Sequence, residues 1–558
     1  MCRREQAITS LAREYPHSRD VGASRMCAQS ECVSREHSLT ELAARVVELG
    51  VSDQECLNRV KLDFCRKHGL DWMPRNSDIL SALPPEVKTR FSEQLQIKRV
   101  RSVSGVNVIG VMSSPRGCPH GRCVFCPMEK GFPMSYTSGE PAAMRGMQSG
   151  YDPFVQITSR IEQLRAIGHE PSKVELVIQG GTFLAAPFQY QEQFVKRCLD
   201  AINGVESKDL LEAKSRAEAS KTRNVGLTIE TKPDWCKERH IDQMLSFGCT
   251  RVEIGVQIID DAVYRLTNRG HTVQDVVDSF QIARDAGFKI VAHMMPGLPG
   301  SDFRKDLASF KELFENSRFR PDMMKIYPCL VMEGTELYDW WKSGNYTPFE
   351  TEDAVELIAQ VKEFLPPWVR IMRVHREFPV HLIKAGVKNG NLRELALDRL
   401  RQRGKRCRCI RCREVGHRVS KDNVSVNPEA VKLVLRKYEA SGGTEFFIAF
   451  EEANADALVG YVRLRLPSEK STRDEVDGST ALVRELHVYG PEVPVGQHRR
   501  GSWQHVGFGR KLLVEAEEQA KRAGAERVLV LSALGTKEYY RREGYSPFGP
   551  YMCKRIAS

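Results

Sequence analysis

Cys118-Pro-His-Gly-Arg-Cys123-Val-Phe-Cys126 packs three cysteines into nine residues, directly after the apolar run Val106–Met112. Three thiolates on one turn, with no fourth cysteine nearby, match an iron–sulfur cluster that leaves one iron open, because such clusters are otherwise held by four cysteines in runs of similar spacing. A structural zinc turn and ordinary buried cysteines are the alternatives. Position favours the cluster, since a loop after the first strand of an α/β barrel lies on the catalytic face.

Outward from this loop, strand-like apolar runs alternate with amphipathic helices from 106 to about 331. The strands are predicted at Val106–Met112, Val174–Gln179, Val225–Glu230, Arg251–Val256, Lys289–Met294 and Met323–Tyr327, with helices such as Pro187–Ile202, Asp275–Ala286 and Phe303–Asn316 between them. Repeated βα units of this length predict a parallel sheet with right-handed crossovers. Six units rather than eight predict a partial (β/α)6 barrel, open on one side, over residues 101–331. The Lys-, Glu-, Ala- and Ser-rich stretch 204–223 reads as a charged surface excursion. Polar groups gather at the strand ends: Gly180, Gly181 and Thr182, where only glycine lets backbone approach a ligand closely, then Glu230 with Lys232, Glu253 and Gln257. Met295-Pro-Gly-Leu-Pro-Gly300 adds a tight rim turn. Taken singly, each of these has a fold explanation; together they resemble the rim of a radical S-adenosylmethionine barrel.

At 558 residues, more than one core is expected. Residues 1–35 show little periodicity and are expected to be a flexible N-terminus. Residues 36–100 read as a helical region: Leu39, Leu42, Val46, Leu57, Val60 and Phe64 recur at helical spacing, and a capped helix is expected from Asn76 to Pro84. Lys98, Arg99 and Arg101 form a basic arm into the first strand, or a solvated linker. A connector spans 332–420. From 421 to 558 the pattern predicts a basic helix near Glu429–Tyr438 and antiparallel strands at Phe446–Glu451, Ala457–Leu466 and Thr480–Tyr489. A helix over Gly507–Ala523 and a strand at Val528–Ser532 follow.

The composition, 41% apolar and 28% charged, is that of a soluble globular protein, without an apolar stretch near the ~20 residues of a membrane helix. No membrane partner is expected, and the absence of a secretory leader predicts a cytoplasmic protein. Sixteen cysteines in a large leaderless chain point to metal in a reducing compartment. The net charge of +11 permits a polyanionic partner, although a solvated basic surface explains it equally well.

Cys407-Arg-Cys409-Ile-Arg-Cys412 is a second thiol set, most simply a structural zinc site that pins the connector. Cys329 is the preferred fourth ligand and His417 the other candidate; a second cluster is the competing reading. The C-terminal unit carries Gln504-His-Val-Gly507-Phe508-Gly509-Arg510 at the start of a helix, then Tyr539-Tyr540-Arg-Arg-Glu-Gly544-Tyr545. This resembles the pyrophosphate cradle of GNAT acetyltransferases, where small residues aim backbone amides at phosphate oxygens. Tyr540 would donate its hydroxyl to the coenzyme A sulfur, or simply pack in the core.

A cysteine-cluster barrel followed by an acetyltransferase fold is a rare pairing, and the chain resembles the catalytic subunit of Elongator and its single-chain archaeal and bacterial counterparts. The likeness is carried by Arg101-Ser-Val-Ser-Gly-Val, Cys118–Cys126, Tyr151-Asp-Pro-Phe, Val177-Ile-Gln-Gly-Gly-Thr-Phe and Asn391-Leu-Arg-Glu-Leu-Ala. Further matches are Arg411-Cys-Arg-Glu-Val-Gly416, Val483-Arg-Glu-Leu-His-Val-Tyr-Gly490 and Gly544-Tyr-Ser-Pro-Phe-Gly-Pro-Tyr-Met552. The four-then-two cysteine spacing departs from the three-then-two of most radical enzymes and matches the prokaryotic-type members.

The resemblance implies a tRNA uridine(34) acetyltransferase. A 5′-deoxyadenosyl radical from S-adenosylmethionine takes hydrogen from the methyl of acetyl-CoA; the carbon radical adds to C5 of the wobble uridine in the anticodon stem-loop; thioester hydrolysis leaves a carboxymethyl group. By carry-over, Cys118, Cys123 and Cys126 hold a 4Fe–4S cluster. Lys173, Glu485, Leu486, His487, Val488, Phe508, Gly509, Arg510 and Tyr540 contact acetyl-CoA. Lys232 is proposed near the thioester, a surface ion pair being its competing reading. Phosphate contacts are proposed for Lys98, Arg99, Arg101, Arg370, Arg373 and Arg376, with His375 beside them. An electron-donor protein is implied, and the chain is expected to act as a homodimer or a single chain without other Elongator subunits. The rival reading is a protein lysine acetyltransferase that uses the barrel as scaffold.

Overall fold

The computed structural model describes residues 21–556 apart from 52, 85, 88–90, 92–104, 168, 170 and 491–506, with the side chains of 21–34 and 54 also outside the description. Lys98, Arg99, Arg101 and Gln504 therefore lie outside the described residues. The chain forms two units, one of residues up to 97 together with 164–169, the other of the remainder.

The first unit is helical, over Val21–Glu48, Gln54–His68 and Asn76–Ala82. Its first helix begins inside the stretch expected to be flexible. Asp53 caps the second helix by accepting the Cys56 N–H at 2.8 Å, and Gly69 closes it in the left-handed region at φ 61°. Leu42, Val46, Leu57, Phe64, Ile79 and Leu80 are its core.

The second unit opens with seven parallel strands: β1 Val106–Met112, β2 Lys173–Gln179, β3 Arg223–Thr231, β4 Arg251–Gln257, β5 Lys289–Met294, β6 Met323–Ile326 and β7 Arg370–Val374. They pair in that order, and β1 does not meet β7 among the described residues, so the barrel is open. Six strands stand within two residues of expectation. The seventh comes from the connector and adds to β6 in parallel. The excursion 204–223 holds a helix, Leu210–Ala219, whose Leu210, Ala213 and Ala217 are buried.

The rim turn Met295–Gly300 is pinned from below. Asp306, buried, accepts the Gly297 N–H at 2.7 Å and the Ser301 hydroxyl at 2.8 Å, while the Tyr346 hydroxyl donates to the Gly297 carbonyl. Burial, without a cationic partner, pushes the Asp306 carboxyl up to about 7 from 3.8. A carboxyl raised on folding contributes stability below its unfolded pKa and loses it as pH climbs through the folded value. Wild-type thermal midpoints should therefore fall between pH 4 and pH 8 relative to Asp306→Asn; parallel pH profiles for the two proteins would refute this.

The C-terminal sheet is mixed, with β8 Val431–Ala440, β9 Gly443–Glu452, β10 Ala457–Leu466, β11 Thr480–Val488, β12 Arg527–Val530, β13 Ser546–Phe548 and β14 Tyr551–Arg555 in the order β8-β9-β10-β11-β12-β14-β13. The helix expected near Glu429–Tyr438 is a strand instead. Ser441 and Gly442 take φ 50° and 76°, the paired positive values of a tight hairpin, and they lock β8 to β9 in unbroken antiparallel register. The helix Phe508–Arg522 packs on this sheet through Leu512, Leu513, Ala516 and Ala520.

The C-terminal sheet docks on the barrel end where the strands begin. A buried ion network makes the joint. Arg484 grips both oxygens of Asp322 at 2.7 and 2.8 Å and reaches Glu445 at 2.7 Å. Arg463 joins Glu485 at 2.9 Å and the Trp368 carbonyl, and Arg465 joins Asp285 and Glu445. Arg284 lies 3.4 Å from Glu445. Asp285 and Asp322 belong to the barrel, whereas Glu445, Arg463, Arg465 and Arg484 come from the C-terminal sheet. Gly535 sits so close to β3 that a Cβ would stand 2.8 Å from the backbone of Asn224.

Candidate active site

At the strand C-terminal ends, β1 leads into the cysteine loop. Cys123 and Cys126 are buried and Cys118 is half-buried. The His120 ring approaches the Cys123 sulfur at 3.2 Å and the buried Arg269 guanidinium donates to it at 3.4 Å. The Thr182 hydroxyl lies 3.8 Å from the Cys118 sulfur. Burial raises the Cys118 thiol, and it pushes Cys126 up to about 12. Only the thiolate binds metal, so a cationic centre held here has to displace these protons against the cost that burial sets.

Spacing differs between the two thiol triads. A single tetrahedral zinc would draw sulfurs to about 3.8 Å of one another. The Cys118, Cys123 and Cys126 sulfurs are not among the ligand groups that fall mutually within 4.8 Å, whereas Cys407, Cys409 and Cys412 are. The second triad is thus gathered around one point and the first is more open. Gly181 lies beside the first: its φ is 65°, and a Cβ there would be in ordinary contact with Met134 at 3.7 Å and the Cys118 sulfur at 3.9 Å. Gly180, at φ 123°, makes room instead for the Ser113 hydroxyl, which a Cβ would meet at 2.3 Å. One of the two glycines therefore serves the site and the other serves the fold.

Below the mouth, the lumen carries charge where a barrel core is ordinarily apolar. Glu230 accepts from the Tyr136 hydroxyl at 2.7 Å and from Gln179 at 3.2 Å, and Lys325 stands 3.7 Å away. Glu253 bonds to His293 at 2.9 Å and to Lys325. Burial would raise the Glu253 carboxyl, but Lys325 and His293 hold it far below the usual range. Lys325, His293 and Tyr136 carried no signal in the sequence; only the register of neighbouring strands brings them to Glu230 and Glu253. Gln257, at φ 72°, ends β4 on a bulge with its amide turned towards Gly255 and Arg269.

Lys232 is buried rather than on the surface. Its ammonium pairs with Asp234 at 3.3 Å, and burial lowers its pKa, aided by Arg269. Lys173 begins β2, whose far end enters Gly180, so about 20 Å of strand separates it from the cysteine loop. It sits at the end where the C-terminal sheet docks.

In that sheet, β11 and β12 pair only from Thr480 to Val483, and from Arg484 to Val488 the β12 side of β11 is unpaired among the described residues. Beside this splay, Gly507 turns at φ 90° into the helix Phe508–Arg522, whose first-turn N–H groups lack intrahelical acceptors. A Cβ on Gly509 would stand 3.8 Å from Val488 and 3.3 Å from the Tyr539 hydroxyl. Arg510 is largely exposed, 3.4 Å from Glu543. Tyr540 is buried edge-on between Tyr539 and Tyr545. Glu485 and His487 face the barrel base, where the charges of Glu175 and Arg370 reach His487 and those of Arg251 and Lys289 reach Glu485.

Two of the arginines expected to meet phosphate are used internally. Arg370 bonds to Glu414 at 2.6 Å and to the Tyr489 hydroxyl, and Arg376 bonds to Glu140 while lying over Tyr136 and Phe378. Arg373 pairs with Glu377 but stays part-exposed. His375 is buried at φ 71°. Cys329 does not join the second thiol triad; it bonds to Tyr346 beneath the rim turn, and His417 bonds to Glu414. Lys362, fully buried, donates to Cys407 at 3.7 Å.

Known proteins agree with this anatomy. Family models match at residues 35–103 (ELP3 N-terminal domain), 112–310 (Radical SAM superfamily) and 321–402 (Radical SAM C-terminal domain). A tRNA uridine(34) acetyltransferase of Methanocaldococcus jannaschii is 47% identical over 90% of this chain and 94% of its own. Elongator complex protein 3 of Homo sapiens is 46% identical over 90% of this chain and 93% of its own. The solved structure of the archaeal Methanocaldococcus infernus Elp3, with residues 1–46 deleted, superposes with a TM-score of 0.73 at 46% identity, covering 81% of this chain and all of that one. The radical SAM half-barrel implies S-adenosylmethionine and a 4Fe–4S cluster. The chain belongs to the family of Elongator complex protein 3 and the tRNA uridine(34) acetyltransferases.

Proposed function

We propose that this chain is a tRNA uridine(34) acetyltransferase that builds a carboxymethyl group on C5 of the wobble uridine from acetyl-CoA. One observation carries the reading: a thiol-lined barrel mouth and a splayed sheet with a glycine-started helix belong to one unit, joined by buried charge. When bound, the cluster and S-adenosylmethionine supply the radical that takes hydrogen from the acetyl methyl group. Cys118, Cys123 and Cys126 bind the cluster, and Arg269 and Thr182 orient the sulfurs of Cys123 and Cys118.

The C-terminal unit is a GNAT-type fold in this reading. The amides of Gly507–Arg510 hold pyrophosphate, Glu485–Val488 line the thioester arm, and Lys173 meets it at the barrel base. Tyr540 is the proton donor to the departing thiolate. In the lumen, Glu253 fixes the His293 ring through Nε2, and Lys325 with Glu230 orients the polar edge of the base. Lys232, buried and with its proton weakly held, sits where a carbonyl oxygen would need a donor. The Cys407, Cys409 and Cys412 triad holds zinc as a structural clamp. An electron-donor protein and a cytoplasmic location complete the proposal, and no helix among the described residues is long and apolar enough to cross a membrane.

The relatives' names favour tRNA over protein lysine as acceptor. The test is anaerobic reconstitution with iron, sulfide, reductant, S-adenosylmethionine, acetyl-CoA and either tRNA or histone tails. Nucleoside mass spectrometry should reveal 5-carboxymethyluridine. Acetyl-lysine on the tails without modified uridine would establish the rival.

A further inference from the structure

A groove of about 1190 Å³ runs from the barrel mouth past the second cysteine triad, between the end of β7, the helix Leu392–Gln402 and the turn Lys405–Arg418. Ten of its lining side chains are Lys or Arg and three are Asp or Glu. Counting charges is weak by itself, because most surface cations are paired or solvated. Pairing distinguishes the cations here.

Arg373, Arg376, Arg401 and Arg418 are matched by Glu377, Glu140, Asp398 and Asp422. On the cysteine turn the arginines divide. Arg413 is buried against Glu451 and Asp456, and Arg408 reaches Asp456 at 3.5 Å, so these two anchor the turn to the C-terminal sheet. Arg411, between Cys409 and Cys412, points the other way, into the groove. Among the described residues, no carboxylate lies within 4 Å of Arg411, Arg393, Lys405, Lys388 or Lys421. Arg393 is tethered by one arm to the Ile371 carbonyl at 3.3 Å, while its buried Nη1 has no partner. Arg393 and Arg411 oppose each other's charge, and Arg370 adds to the repulsion on Arg411. The nearest acid, Glu414, is already held by Arg370 and His417.

Two half-buried arginines lining one groove, neither with a carboxylate within 4 Å, suit an anion with several oxygens, and a phosphate diester fits them better than a single carboxylate. Arg376 lines this groove and lies over Tyr136, which bonds to Glu230 in the lumen, so a strand whose base enters the mouth carries its backbone into the groove. We infer that Arg393 and Arg411 clamp one backbone phosphate of the bound RNA, with Lys405 and Lys388 on its neighbours. The inference rests on the RNA-modifying reading and adds the track the strand takes.

The experiment is tRNA binding to the reconstituted full chain, measured across a salt series. Each lost phosphate contact should lower the slope of log affinity against log salt by about 0.7–0.9. Arg393→Gln with Arg411→Gln removes the one phosphate they share and should therefore lower it by about 0.7–0.9 and weaken binding at least tenfold in dilute salt, while iron content and thermal midpoint stay at wild-type values. Should that pair disturb folding, Lys405→Gln with Lys388→Gln at exposed positions must reduce the slope by about 1.4–1.8, one phosphate each, and a lysine at both arginine positions must restore much of what the arginine pair loses. An unchanged slope in either glutamine pair overturns the clamp. Failure of the modification itself is separate: wild type that binds tRNA with the full slope but makes no carboxymethyluridine rejects the enzymatic reading and leaves the groove standing.

Discussion

Replacing Cys123 with alanine should remove the iron chromophore and reduce both 5′-deoxyadenosine release and uridine modification by on the order of 10³ or more, since members of one catalytic unit fail together. Cys123 is the most supported of the three thiols: buried, contacted by His120, and held by Arg269 through a 3.4 Å hydrogen bond. Cys249→Ser is the matched control. That thiol is equally buried but bonds to the Leu227 and Arg251 carbonyls inside the sheet, away from the mouth. Iron analysis and product chromatography under argon decide the matter. Wild-type iron content in Cys123→Ala, or loss of iron in Cys249→Ser, would sink the assignment of the triad.

The second large effect concerns the joint. Asp322→Asn should cost about 3–5 kcal/mol of stability, the range for leaving a buried charge uncompensated. Asp322 accepts from both arms of Arg484 and from the Ile290 N–H, and Arg463 and Arg284 crowd it further. Burial alone would raise the Asp322 carboxyl, yet these arginines hold it far below the usual range. A depressed carboxyl contributes stability above its unfolded pKa of 3.8 and loses it only as pH falls through the folded value. The gap between wild type and Asp322→Asn should therefore be widest at neutral pH and narrow in acid. Denaturant melts at pH 7 and pH 3 measure it; a gap that is equal at both, or below about 1 kcal/mol at pH 7, would show that the network is not a support.

The barrel was readable because its parallel strands carry short apolar runs between helical stretches, as in Val108–Met112 and Ile290–Ala292. Arg370–Val374 escaped notice because arginines occupy both its first and fourth positions, and one of them, Arg370, is neutralised by Glu414, forty-four residues away. Val431–Ala440 looked helical from its charges, whereas the Ser441-Gly442 turn decided the matter. Likewise, the thiol spacing drew out two cysteine triads, but Cys329 could not be excluded from the second until the end of β6 turned it towards Tyr346. The lumen set of Tyr136, Glu253, His293 and Lys325 is a product of strand register, and the spare arginines of the groove emerge only once Arg373, Arg376, Arg401 and Arg418 are seen to have acids of their own.

The buried charge at the joint also bears on traffic within the molecule. The cysteine loop and the splay of β11 lie towards opposite ends of the same parallel strands, and a seam made of desolvated guanidinium–carboxylate pairs does not slide or hinge cheaply. On the proposed function, delivery between the two stations would then fall to the cargo and its flexible tether, moving inside a rigid housing, rather than to one half of the protein swinging against the other.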